Sequence, residues 1–245
     1  MTTLTILVTG GSSASGIAVA RALGAAGHRV LTVGSDDVRI RAAAVEAGHG
    51  ATPLVSDLSS LDSVRELEVT VRDLGIEGID GVIHLVGGWR GAKGIEDQTD
   101  EDWDSMERTA VTTLRNVSRV FYSHLEASPH GRLAMVSSTT AAAPTAAAAS
   151  YAAAKAAAEA WTLAVADGFR RAQSGNAGNP DAPDEQHSAA VVFVVKALVD
   201  SAMREAHPER RFPGFTDVEE LATAAVALFE QPAATLNGQR ILLAK

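Results

Sequence analysis

In the run SYAAAKAAAEA, which begins at Ser150, one phenol and one ammonium stand among residues that are otherwise nearly all alanine. Alanine is the strongest helix former, so the run predicts a helix, and residues four apart on a helix lie one above the other. Tyr151 and Lys155 therefore share a face and can act as a unit, either as a proton-bearing pair or as a surface ring stacked on a lysine stem. Thirteen residues before Tyr151, Ser138 closes the apolar run RLAMVSS. A strand-end hydroxyl and a helix-borne phenol and ammonium converge over one site if the loop TTAAAPTAAAAS folds back across the sheet edge.

Three other places carry chemistry. The first apolar run ends in TGGSSASG, Thr9 to Gly16, with Ile17 opening the next helix. Small residues there let the backbone approach a phosphate, and a helix N-terminus offers free N–H donors with partial positive charge. The turn fits neither G-x-G-x-x-G nor the P-loop pattern, so an ordinary tight turn is the alternative reading. Asp57 stands at the end of the third run, either at a ligand or as a cap for the helix after Ser59. Gly87 and Gly88 end the fourth run, where an open backbone suits a flat ring or a ribose.

The elements that must position these residues alternate along the chain. Short β-rich runs (LTILVTG, RVLTVGS, TPLVSDL, GVIHLVGG, RLAMVSS, AAVVFVV and RILLA) are separated by Ala-rich segments long enough for crossover helices. Each run is continuously apolar, as a strand buried on both faces must be, so the pattern predicts one α/β domain with a seven-stranded, mainly parallel, doubly wound sheet. Ligands bind such sheets at the carboxyl ends of the strands, near the reversal of strand order, where the residues above fall. Residues 172–188, rich in Gly, Asn, Pro and Asp, predict a mobile surface loop.

The chain has 245 residues, 46% of them hydrophobic, which is enough for a sizeable core with no second domain boundary. Aromatics are only 4%, so helices should pack closely through Ala and Gly. A net charge of -9 without a basic cluster disfavours nucleic acid. There is no cysteine, which excludes disulfides, thiolate metal sites and Cys nucleophiles, and the seven histidines show no metal-ligand spacing. The opening MTTLTILVTGG has neither a basic leader nor a long apolar stretch, so the expectation is a cytoplasmic protein with no membrane partner.

Taken in order, these residues resemble the short-chain dehydrogenase/reductase family: a T-G-x-x-x-G-x-G turn, a strand-end Asp, an N-A-G strand end, and a Ser thirteen residues before Y-x-x-x-K. The likeness runs over nearly the whole chain. It implies a Rossmann-type fold and an NAD(P)-dependent oxidoreductase acting on a small or medium-sized alcohol or carbonyl compound. Tyr151 would be the general acid/base, Ser138 would hold the substrate oxygen, and Lys155 would serve both the phenol and the nicotinamide ribose. A cation about 4 Å from a phenol favours the phenolate by up to about 4 kcal/mol at an effective dielectric near 20, which would make the Tyr151 proton usable near neutral pH. The cofactor would lie on Gly10, Ser12, Ser13, Ser15 and Gly16, then on Ser35, Asp57 and Leu58, then on Gly87 and Gly88, with Ser201 at the nicotinamide amide. The resemblance also implies a homodimer or homotetramer through the helices near Asp102 to Ser123 and Tyr151 to Arg171.

The departures are specific. Ala14 and Ser15 alter the turn, LVGG stands for NNAG, Ala110 replaces an Asn that helps hold a relay water, and Lys196-Ala197 replaces Pro-Gly. They keep open a second reading, a non-catalytic NAD(P)-binding sensor of the same fold. The second strand ends at Gly34 and Ser35 without the Asp that favours NAD, which leaves room for a 2′-phosphate. Asp36 and Asp37 would repel that phosphate unless Arg39 or Arg41 folds back, and the balance leans slightly to NADP. A substrate lid is expected from residues 203–215, whose Arg204, Arg210 and Arg211 either greet an acidic substrate or lie solvated. Trp89 and Trp103 either line the pocket or fill gaps between helices.

Overall fold

The apolar runs form strands because each must be covered on both faces. Ile6 and Val8 turn to one side of the first strand and Leu7 to the other, and all three are fully buried. The computed structural model describes residues 2–174 and 186–244. Within them β1 (Thr5–Thr9), α1 (Ala14–Ala25), β2 (Arg29–Gly34), α2 (Asp37–Ala47), β3 (Thr52–Val55), α3 (Leu61–Asp73) and β4 (Gly81–His84) build the first half. The second half runs α4 (Asp100–Glu107), α5 (Thr113–Ala127), β5 (Arg132–Ser138), α6 (Ala149–Gln173), β6 (Ala189–Val195), β7 (Leu198–Val199), α7 (Ser201–Ala206), β8 (Thr216–Asp217), α8 (Val218–Ala227), α9 (Ala233–Leu236) and β9 (Arg240–Leu242).

Seven strands join in the order β3-β2-β1-β4-β5-β6-β9, every pairing parallel. The expected seven-stranded sheet is present, and a separate pair, β7 with β8, was not anticipated. Helices α1 and α8 cover one face around Val19, Leu23, Leu221 and Phe193. Helices α3, α5 and α6 cover the other around Leu67, Phe121 and Phe169. Each such side chain contributes roughly 1.5–3 kcal/mol on burial, so the two clusters together hold the strand ends rigidly. Strand order reverses between β1 and β4, and the crevice at their carboxyl ends is where ligands bind sheets of this kind.

Two sequence expectations about element boundaries need correction. Helix α1 begins at Ala14 and not at Ile17, because the Ser13 side chain accepts the Gly16 N–H at 3.0 Å and caps it. The expected loop over 172–188 begins too early: Ala172 and Gln173 belong to α6. Gln173 is buried there because its amide is satisfied on both sides, donating to the Ser188 hydroxyl at 2.7 Å and accepting the Ser188 N–H at 2.9 Å. Most of the remaining loop, 175–185, lies outside the described residues. Among the described residues no helix is long and apolar enough to cross a membrane.

Candidate active site

Strand β5 delivers Ser138 to the sheet edge, and the chain then folds back through two 3-10 turns, Thr139–Ala141 and Ala146–Ala148, into α6. Helix α6 has no capping side chain of its own. Gln98 supplies the cap from the loop before α4: its Oε1 accepts from the Ser150 N–H at 3.2 Å and hydroxyl at 2.7 Å, and its Nε2 donates to the Ala146 carbonyl at 3.1 Å. This fixes the first turn of α6 over the end of β5 and brings Tyr151, Lys155 and Ser138 to one cavity of about 380 Å³.

The Ser138 hydroxyl is committed by its neighbours. It accepts from the Thr140 N–H at 3.2 Å and the Thr140 hydroxyl at 2.7 Å. A hydroxyl has two acceptor lone pairs and one proton, so Ser138 is left to donate, toward Tyr151 or toward an incoming oxygen. Lys155 is buried and donates to the Val136 carbonyl at 2.8 Å. Burial lowers its pKa to about 8, and the Glu159 carboxylate one turn along opposes the shift. Glu159 is itself held by Arg240, which donates to it at 2.7 Å, and by the Ser137 hydroxyl. The Lys155 ammonium lies 5.9 Å from the centre of the Tyr151 ring.

The expected depression of the Tyr151 pKa is not what the geometry produces. Burial pushes the phenol up, and the hydrogen bond with Ser138 only partly offsets it. At this separation the lysine charge does not outweigh the loss of water, because desolvation penalises the phenolate directly. Tyr151 is therefore a protonated acid in this state. Ala110 lies in a π-helical segment, Arg108–Thr112, between α4 and α5, and packs with Met106 and Ala154 against the ring. Such segments widen the helix locally and recur at functional sites. His84, buried at the end of β4, has its pKa lowered to about 3 by burial and then by Lys155, so it stays neutral. Its two ring nitrogens meet the hydroxyls of Thr9 at 2.8 Å and Thr113 at 3.1 Å, tying β4 to β1 and α5.

A second cavity, of about 620 Å³, continues from the first along the strand ends, sharing Ser13, Leu85, Val86 and Gly87. Gly10, Ser12, Ser35, Asp57 and Leu58 line it, while Ser15 and Gly88 line the cavity with Tyr151. Gly10 has φ +74°, and a Cβ there would stand 2.8 Å from the Leu85 carbonyl carbon across the crevice. Gly16 does not touch either cavity. It lies beneath the turn, where a Cβ would meet the Gly10 carbonyl oxygen at 2.4 Å. Asp57 does not cap α3, whose N-cap is Ser60; its carboxylate accepts from the Ser59 N–H at 2.9 Å and hydroxyl at 2.7 Å. Arg39 and Arg108 add positive charge to this end, Arg39 lying 3.6 Å from the Asp36 carboxylate, while Arg41 is turned to Asp37 at 2.8 Å.

The groove fits a dinucleotide. It pairs a capped helix N-terminus with an open glycine floor, and a Cβ on Gly87 would come within 3.3 Å of the Lys155 ammonium and narrow the passage. Ser201 is not brought to it. It lines a neighbouring cleft of about 450 Å³ with Ala14 and Arg21. Of the arginines in residues 203–215, Arg204 pairs with Asp217 at 3.1 Å, and the Arg210 guanidinium stacks 4.8 Å from the Phe212 ring centre; neither lines the cavity. Trp89 lines the cavity and Trp103 lies half-exposed outside it. The sequence reading missed Gln98, Thr140, Glu159 and the Val136 carbonyl. Only the S-x-T pattern of Ser138 and Thr140, which favours a local side-chain turn, was a usable signal.

The all-parallel, doubly wound sheet with helices on both faces defines a Rossmann-type α/β fold. The short chain dehydrogenase family model matches residues 4–173, and the chain belongs to that family. A D-beta-hydroxybutyrate dehydrogenase from Cupriavidus necator is 28% identical over 246 residues, covering 96% of this chain and 93% of its own. A serine 3-dehydrogenase from Agrobacterium fabrum is 29% identical over 114 residues, 46% of this chain and 45% of its own. Three of the curated relatives are spanned over only about half their length, 45% to 57%. A solved short chain dehydrogenase/reductase family protein superposes with a TM-score of 0.78 at 25% identity, covering 98% of this chain and 95% of that one.

Proposed function

We propose that the protein is an NAD(P)-dependent oxidoreductase acting on a small or medium-sized alcohol or carbonyl compound, with Tyr151 as general acid/base. The observation that carries this reading is the meeting of Ser138, Tyr151 and Lys155 in a cavity that opens into the dinucleotide-sized groove. A nicotinamide cofactor held along Gly10, Ser12, Gly87 and Gly88 would supply or accept the hydride. Ser138, with both lone pairs filled by Thr140, donates to the substrate oxygen and holds it beside the phenol. Tyr151, kept protonated by burial, gives its proton to that oxygen in the reductive direction. Lys155, with a pKa of about 8, is the stronger acid of the two and can return a proton to the phenol. The Val136 carbonyl and Glu159 keep its ammonium in place between turnovers.

We favour NADP over NAD because Arg39 and Arg108 line the far cavity beside Ser35; Arg39 is held only by an exposed 3.6 Å pair with Asp36, and both cations suit a phosphate. Residues 1–245 are read as one NAD(P)-binding domain in the cytoplasm, with 203–215 as the substrate lid. A homodimer or homotetramer would use α6, whose outward residues Ala153, Ala156, Ala157 and Ala160 permit close helix approach. The displacement of Ser201 from the groove favours the second reading, a cofactor-binding sensor without turnover. Screening carbonyl compounds and alcohols with NADPH and NADH separates the two: turnover supports the enzyme, whereas tight cofactor binding without turnover of any compound supports the sensor.

A further inference from the structure

The cavity that holds Ser138, Tyr151 and Lys155 carries one more charge. Lys196, the first residue after β6, lines it together with Trp89, Ala197 and Leu198, and among the described residues lining it there is no Asp or Glu. The two ammoniums differ in their commitments. Lys155 is buried against Val136 and Glu159. Lys196 is exposed and donates to a neutral acceptor, the Pro213 carbonyl, at 3.0 Å. Two arginines of the neighbouring segment are engaged elsewhere, Arg204 with Asp217 and Arg210 over Phe212 and Phe215, and the third, Arg211, is exposed and does not line the cavity. In a chain of net charge -9, a cavity wall with two cations and no carboxylate, the Glu159 carboxylate lying behind Lys155, sets up a local positive field around Lys196 that selects anions.

We propose that Lys196 anchors a carboxylate of the substrate, so that the compound reduced is an oxo acid and the compound oxidised is the matching hydroxy acid; this rests on the oxidoreductase reading above. Strand register supports it. Val195 pairs with Ser138 across β5 and β6, so Lys196 leaves the sheet one residue beyond the partner of the hydroxyl that holds the reacting oxygen. One strand thus fixes the carbonyl and its neighbour fixes the anion. On binding, the ammonium exchanges a neutral acceptor, the Pro213 carbonyl, for an anionic one, so that both partners of the bond carry charge. The reaction stays balanced at the reacting carbon: hydride passes from NADPH to carbon, the Tyr151 proton passes to oxygen, NADP+ is released, and the carboxylate remains unchanged and ion-paired.

The test compares 2-, 3- and 4-oxo acids of about four to six carbons with their methyl esters, which keep the carbonyl and remove the charge. The wild-type protein should prefer one acid of the series over its ester. In Lys196→Met the ratio of kcat/KM for that acid to kcat/KM for its ester should fall about 10- to 100-fold, the range for losing a hydrogen bond to a charged group, and the loss should appear in KM. Calorimetric titration of the matching hydroxy acid into protein with NADPH reads the same loss as a weaker Kd, independent of turnover, and the Kd for NADPH itself should not move. Preference for esters, an unchanged ratio in Lys196→Met, or a weakened NADPH Kd in that variant overturns the assignment while leaving the oxidoreductase reading intact. Failure of every acid, ester and neutral ketone to turn over removes the oxidoreductase reading, and this inference falls with it.

Discussion

Replacing Lys155 by methionine should make the stability of the cofactor-free protein respond differently to pH. In the folded chain burial lowers the Lys155 pKa from 10.5 to about 8, with Glu159 opposing. Below about pH 8 the ammonium is charged in both states, and the fold bears the cost of burying it. Between about pH 8 and about pH 10.5 the unfolded chain holds a proton that the folded chain has released, so wild-type stability rises through that window. At about 1.36 kcal/mol per pH unit the gain reaches roughly 3 kcal/mol, as an order of magnitude. Lys155→Met lacks this titration. It also leaves the Val136 carbonyl, which accepts from Lys155 at 2.8 Å, without its partner. That loss costs about 1–3 kcal/mol at every pH. The variant should therefore match or exceed wild type near neutral pH and fall below it near about pH 10, so that the two curves cross. For a chain of this size each kcal/mol moves the midpoint by about 2–4 °C, within reach of calorimetry or thermal fluorescence across the pH series. A difference between the two proteins that does not change with pH refutes the argument.

Other substitutions test other parts of the site. Gly16→Ala places a Cβ 2.4 Å from the Gly10 carbonyl oxygen and 2.7 Å from the Gly11 Cα, both backbone atoms that cannot turn aside. It should cost about 1–3 kcal/mol in thermal or urea unfolding and weaken cofactor binding by opening the turn. Thr140→Val removes the 2.7 Å bond to Ser138 and frees that hydroxyl to rotate, so kcat should fall about 5- to 10-fold while the NADPH Kd holds. Arg39→Ala should weaken NADPH about 10-fold or more and spare NADH, as fluorescence titration will read. Equal effects on both cofactors would remove the argument for a 2′-phosphate.

The strands were legible because burial on both faces forces continuous apolar runs, and Ile6, Leu7 and Val8 show the result directly. The end of α6 was not, because Gln173 looks like a loop residue until the Ser188 atoms that satisfy it are in place. Ser15 and Gly16 are weak helix formers, which hid the start of α1 behind the Ser13 cap. Ser138, Tyr151 and Lys155 could be found by type and spacing. Gln98 could not, since it reaches Ser150 across 52 positions, nor could the Val136 carbonyl, which no side chain encodes. The direction of the Tyr151 shift was misjudged for a related reason: spacing on a helix gives the proximity of a charge but not the amount of water removed around the ring. Lys196 was visible as a departure from Pro-Gly, and its meaning depended on the carboxylate-free wall around it.

The account rests on Tyr151 as the proton carrier, and the most direct measurement is the turnover of Tyr151→Phe on a substrate identified with the wild-type protein. Only one hydroxyl is removed, so the fold and the NADPH Kd should stay nearly as they are. General acid/base catalysis contributes about 10² to 10⁴-fold, and kcat should fall within that range. A Tyr151→Phe protein that binds NADPH normally and turns over as fast as wild type would contradict the account and leave the α6 pair without a catalytic role.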